Sequence, residues 1–217
     1  MEKKQYSTFW QSLIIAIIIF SFGIFIGFQI ESSRLNQINT LYANSELSLL
    51  DIKIQSEIAN LKTVDCKILI NENEKFADRI YNEAKILQEY EDASRMTEDL
   101  KLQHSKYDLL RALFWVNSLK IQNNCKTEFQ NIVYFYQYNE PSIETKAKQS
   151  VISNLLKEVK NDYGNKVMLI PLAGDNNITS IEIMIKQYNI TQLPTILINE
   201  KTKITEILSK EELEKYL

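Results

Sequence analysis

The sequence predicts an α+β chain: an apolar N-terminal helix, a long helical stalk and hairpin with coiled-coil-like character, and a terminal α/β domain. Three observations predict it. Residues 12–30 carry no charge. No glycine or proline stands between residues 28 and 140, although loops and turns draw on both, so long helices should fill that interval. Finally, residues 178–199 read as helix, loop, proline and β-branched or aliphatic strand, and a proline cannot serve inside a ladder, so Pro194 marks the entry to a buried strand.

Composition narrows the classes. The chain has 217 residues, 45% of them hydrophobic and 24% charged, which suits a folded protein. Its formal net charge is -3, and Lys and Arg are interleaved with Glu and Asp, so there is no electrostatic footprint for nucleic acid.

Within residues 12–30 only Ser12, Ser21 and Gln29 are polar, and the length is close to the roughly 20 residues that cross a hydrocarbon core. Phe9 and Trp10 sit where an aromatic belt belongs. A cleaved signal peptide would need small residues after the apolar run, and residues 29–34 match that poorly. A buried core helix is the other reading of the same run. Lys3 and Lys4 favour a cytoplasmic N-terminus over residues 1–11, with everything after the span outside the cell membrane. The lipid bilayer is then the first partner. Gly23 and Gly27 have the small-xxx-small spacing that can pack two spans into a homodimer.

Residues 31–128 form the expected stalk and antiparallel hairpin. Leu35, Ile38, Tyr42, Ser45, Leu49, Ile52, Ser56 and Ala59 follow a heptad-like register that its serines weaken. A second stripe, Leu47, Leu50, Ile54, Ile58 and Leu61, widens the apolar face and predicts packing against other helices. Two further stripes predict two helices: Phe76, Ile80, Ala84, Leu87 and Tyr90, then Leu100, Tyr107, Leu110, Phe114 and Ile121. Residues 92–97 are the least apolar interval between them. Cys66 and Cys125 are the only cysteines, and the midpoint between them falls at Arg95 or Met96, in that same interval. The agreement predicts a hairpin closed at its base by a structural disulfide, which requires an oxidising compartment. Two unpaired buried thiols and a redox-active pair are the other readings. Two cysteines and the single His104 do not make a four-ligand zinc site. His104 borders the Leu100 and Tyr107 stripe and reads as a partly buried helix residue.

The last domain, residues 129–217, alternates strand and helix. Residues 132–137 should form a strand, 143–162 a helix, 167–172 a strand, 178–188 a helix, 195–199 a strand, 204–208 a strand and the residues after Ser209 a helix. Ser209 with Glu212 reads as a capping box. Tyr188-Asn189-Ile190-Thr191-Gln192-Leu193-Pro194-Thr195-Ile196-Leu197-Ile198, together with this element order, resembles the cis-proline segment of thioredoxin-like domains. The resemblance covers roughly the last two fifths of the chain. In that family Cys-x-x-Cys lies between first strand and first helix, where a helix N-terminus activates a thiolate. The equivalent residues 138–147 contain no cysteine, and Ser142 can cap a helix but cannot exchange a disulfide.

The resemblance therefore implies a membrane-anchored thioredoxin-like domain stripped of oxidoreductase chemistry. What it retains is a groove beside Pro194, bordered by Leu193, Pro141 and Ser142, where the family pairs an extended polypeptide with the backbone preceding the proline. No catalytic residue, cofactor or metal is expected. Polypeptide clients or a subunit of a membrane complex are the expected partners. A thiol-disulfide oxidoreductase working through Cys66 and Cys125, and a purely architectural subunit, are the rival readings. Asn177 and Asn189 head Asn-x-Thr sequons whose occupancy depends on the compartment.

Overall fold

A computed structural model describes residues 2–59, 65–93 and 98–217, with side chains described outside 2–9, 30–39, 41, 42, 45, 89–93, 98 and 99. The chain divides into two compact units, Met1–Asn44 and Ser45–Leu217.

The first unit is helical and belongs to α1 (Glu2–Ile58). Within it Trp10–Gln29 is long and apolar enough to cross a membrane, and none of that stretch is buried by protein. It begins two residues before the expected 12–30 because Trp10 and Gln11 extend the uncharged run. A Cβ built on Gly23 or Gly27 would meet no atom within 4 Å.

The second unit contains the end of α1, α2 (Cys66–Ala93), α3 (Glu98–Asn124), β1 (Gln130–Tyr136), α4 (Ile143–Tyr163), β2 (Val167–Ala173), α5 (Thr179–Gln187), β3 (Thr195–Ile198), β4 (Thr202–Ile204) and α6 (Lys210–Glu214). The four strands make one mixed sheet in the order β2-β1-β3-β4. β1 runs parallel to β2 and antiparallel to β3, and β3 is antiparallel to β4. The parallel β1–β2 pair needs a crossover, which α4 supplies.

Strand alternation explains the two cores. Ile132 and Tyr134 face one way, with Ile196, Ile198 and Ile204, onto Ile152, Leu156 and Val159 of α4 and Leu213 of α6. Val133 and Phe135 face the other, with Met168, Ile170, Leu172 and Leu197, onto Leu110, Phe114 and Trp115 of α3 and Ile181 of α5. That second core continues through Phe76 and Ile80 of α2 to Ile52 of α1. The boundary expected at residue 128 therefore separates hairpin from sheet in sequence but not in packing, because α3 is itself the layer that covers one sheet face.

The hairpin is joined at its base: Cys66 and Cys125 lie at disulfide distance, S–S 1.99 Å, with Cα atoms 5.6 Å apart. The turn expected at 92–97, centred on Arg95 and Met96, falls largely on residues 94–97, outside the described residues. Asn73 donates to Ser118 at 3.1 Å and accepts from Asn117 at 3.3 Å, a buried polar link that sets the register of α2 against α3.

The two stripes of α1 separate. Leu49, Ile52, Ser56 and Ala59 turn inward, Ile52 with no exposure, whereas Leu47, Leu50 and Ile54 are 66%, 60% and 59% exposed. The second stripe, expected to widen a packed face, lies opposite the first on the helix and remains open, with Leu61 outside the described residues. The heptad positions Leu35, Ile38, Tyr42 and Ser45 have side chains outside the described set.

The last strand differs from its expected place. β4 is Thr202–Ile204 rather than 204–208, because the turn ends early at Asn199 and Glu200, both in the left-handed region, and pairing starts with Ile198↔Thr202. Continuing that register would set residue 206 against Pro194, which has no N–H to pair. The Ser209–Glu212 capping box is formed, and Ser142 accepts from the Thr145 N–H at the start of α4.

The outer edge of β2 is occupied in part. Val167 N–H donates to Gly164 O, Ala173 N–H donates to Asp108 Oδ1, and Pro171, on the same alternation between them, has no N–H. Leu169, the remaining outward position, has its backbone on this edge as well, so the edge is occupied only in part.

Candidate functional site

The site builds up at the end of β1 where the chain leaves the sheet. The Leu193–Pro194 peptide bond is cis, Pro194 is buried, and the pairing of β3 with β1 starts only at Thr195, opposite Phe135. The backbone of Leu193 therefore lies beyond the sheet's own ladder. The Thr195 hydroxyl donates to Gln192 O at 2.6 Å and closes the turn from within.

Beneath Leu193 lies the loop after β2. A Cβ built on Gly174 would stand 2.9 Å from both Cδ1 and Cδ2 of Leu193, so glycine is what allows this approach. Gly174 N–H extends the parallel ladder to Tyr136 O at 2.8 Å. Asp175 accepts from the backbone N–H groups of Tyr138 and Asn139, each at 2.8 Å, and the Asn139 amide donates back to Asp175 O at 2.8 Å. The loop from β1 to α4 and the loop from β2 to α5 are thereby tied to each other.

Helix α3 reaches the same place with charged residues. His104 and Asp108 are separated by one helical turn, as are Asp108 and Arg111, so all three occupy the sheet-facing side. Asp108 has no exposure, and burial pushes its carboxyl above the usual range although His104, Arg111, the Ala173 N–H and Asn176 oppose that shift. Its Oδ2 accepts from the Asn176 amide at 2.9 Å and lies 3.7 Å from His104 Nε2, and its Oδ1 lies 3.5 Å from the Arg111 guanidinium. His104 Nε2 is 2.7 Å from the Tyr136 hydroxyl, and its ring stacks on Tyr138 at 3.7 Å.

Of the expected groove residues, Leu193 meets this cluster through Gly174, and Pro194 is buried next to it in sequence. Pro141 is half-buried and Ser142 exposed in the turn that opens α4, where Ser142 is engaged as the helix cap. Tyr134 and Phe135 are core residues on opposite faces, whereas Tyr136 and Tyr138 are half-buried against His104. Cys66 and Cys125 lie elsewhere: Cys125 precedes the start of β1, and Pro194 lies by its end, a strand length of roughly 20 Å at about 3.3 Å per residue away. Among the described residues no group of three or more His, Cys, Asp or Glu side chains could hold a metal ion.

At the other end of the sheet a second polar link fastens α3 to the β3–β4 turn. Trp115 Nε1 donates to Glu200 Oε1 at 2.6 Å, Asn131 reaches the same oxygen at 3.4 Å, and Tyr188 packs on Trp115 with ring centroids 5.2 Å apart. Partial burial holds the Glu200 carboxyl above its ordinary value despite those donors. Asn177 and Asn189, the two sequon asparagines, are exposed in left-handed turn positions.

No protein-family model and no curated protein matches the chain. Among solved structures, one described as "Structure of a malarial protein" is 18% identical and covers 41% of this chain and 92% of its own, at a TM-score of 0.30, a likeness too slight to carry argument.

Proposed function

We propose that this is a membrane-anchored, extracytoplasmic thioredoxin-like protein without oxidoreductase activity, which binds or presents extended polypeptides at the membrane surface. The observation that carries the reading is the Leu193 backbone standing beyond the sheet's own ladder just ahead of β3, in a mixed sheet whose β1–α4 turn contains no cysteine. The backbone at Leu193 is the strand-addition position, and it asks for no side-chain chemistry of the client beyond an extended conformation. The apolar Trp10–Gln29 helix is the anchor, Lys3 and Lys4 favour a cytoplasmic N-terminus, and the Cys66–Cys125 bond suits an oxidising exterior.

The oxidoreductase alternative is disfavoured by position, because the cysteine pair is a strand length from Pro194. The architectural alternative, a fixed subunit of a membrane complex, rests on the open Leu47, Leu50 and Ile54 stripe of α1. Full-length protein in lipid nanodiscs, titrated with reduced and carboxymethylated lactalbumin, tests the main reading. Saturable binding with no reduction of insulin disulfides above free thiol is expected. Absence of binding, or thiol turnover lost in Cys66→Ser, overturns it.

A further inference from the structure

Leu193 owes its place to more than the proline after it. Its side chain rests on Gly174, and Gly174 belongs to a loop gripped from α3 by a single buried carboxylate. Asp108 takes the Ala173 N–H on one oxygen, at 3.4 Å, and the Asn176 amide on the other, at 2.9 Å. Gly174 lies between the two tethered residues. Removing either tether loosens this segment from α3, while the Gly174 N–H bond to Tyr136 O and the bonds of Asp175 to the loop after β1 remain.

A buried carboxylate is costly, and a fold keeps one where several donors converge on it. Here the groups facing Asp108 are His104 and Arg111 from its own helix, the Ala173 N–H at the end of β2, and the Asn176 amide from the loop after it. Helix α3 already covers this face with apolar residues such as Leu110 and Trp115, so hydrophobic packing alone would fix the helix. Loop position is what the charge adds.

We infer that Asp108 is a positioning residue for the Leu193 backbone, acting through Asn176 and the Ala173–Gly174 peptide, so that the hairpin sets the affinity of the groove. The inference rests on the polypeptide-binding reading only for its consequence; the positioning itself is separately measurable. In full-length protein in nanodiscs with selectively labelled leucine methyl groups, Asn176→Ala should shift and broaden the Leu193 methyl resonances. The methyls of Leu155 and Leu156, on the opposite sheet face, should stay in place. Affinity for carboxymethylated lactalbumin should fall on the order of tenfold, the size of one charge-assisted hydrogen bond.

Exchanging the partners, Asp108→Asn together with Asn176→Asp, keeps an acceptor for Ala173 N–H and restores the side-chain pair with donor and acceptor reversed. It should recover the Leu193 resonances that Asn176→Ala loses. If the wild-type chain binds no polypeptide but the methyl shifts appear and are rescued, the binding reading fails and the positioning stands. Unshifted Leu193 methyls in Asn176→Ala, or shifts that the exchange does not reverse, overturn the inference.

Discussion

Gly174 lies directly under Leu193, close enough that a single added methyl group would stand 2.9 Å from both terminal carbons of the leucine. Because those atoms are the far end of a flexible side chain, Gly174→Ala should be accommodated by displacing Leu193, at about 1 kcal/mol of stability, the low end of overpacking costs. Polypeptide binding should fall by much more than stability does. Equal loss of both, in denaturant titration and nanodisc binding, would show that the contact only supports the fold.

The opposed faces of α1 give a sharp pair of outcomes. Ile52→Ala opens a cavity in the core shared with Phe76 and Trp115 and should cost about 2–5 kcal/mol. Ile54→Ala, on the exposed face, should change stability by less than about 0.5 kcal/mol. Chemical denaturation of the detergent-solubilised chain measures both, and comparable losses would place Ile54 in an interface.

Cutting the cysteine link should affect folding rather than chemistry. The loop it closes has a sequence separation of 59, for which the chain-entropy account gives about 4 kcal/mol. Cys66→Ser and Cys125→Ser should each lose about that much, and reductant should reduce wild-type stability to match. Intact mass with and without reductant reads the bond itself.

Glu200 carries a pH dependence whose direction follows from its raised pKa. The folded state disfavours its charge, so the stability it contributes is fully present below the ordinary value of 4.5 and is lost as pH rises through the raised one. Glu200→Gln keeps an acceptor for Trp115 and removes the titration. Wild type should therefore fall behind the variant as pH climbs through that window, and the two should run parallel below it. A gap that widens toward acid would reverse the assignment.

Much of this architecture was legible because local chemistry and tertiary packing agree. Ser209 with Glu212, Ser142 ahead of α4, and Pro194 ahead of β3 each do what their residue types dictate. The midpoint of the two cysteines agrees with a polar interval, and the two cysteines do lie at disulfide distance, with residues 94–97 of that interval outside the described residues. Other features were not legible, for definite reasons. Both stripes of α1 are apolar, and periodicity alone cannot choose which one meets Phe76 and Trp115. β4 lies earlier than the expected 204–208 because Ile204, Ile207 and Leu208 look equally strand-like in sequence, whereas register against Pro194 decides where pairing ends. Asp108 and Arg111 belong to no motif that singles them out in the sequence. Asp108 stands one turn after His104 and Arg111 one turn after Asp108, but only the sheet beneath turns that face into an interior.

The central claim is that the Leu193 backbone receives extended polypeptides, and a photoreactive leucine at position 193, activated in intact cells, tests it most directly. The account predicts crosslinks to many different polypeptides, each through an extended segment and undiminished by Cys66→Ser in whatever protein folds. Crosslinking to one fixed protein, or none while the same group at an exposed position such as Ile183 still reacts, would contradict it.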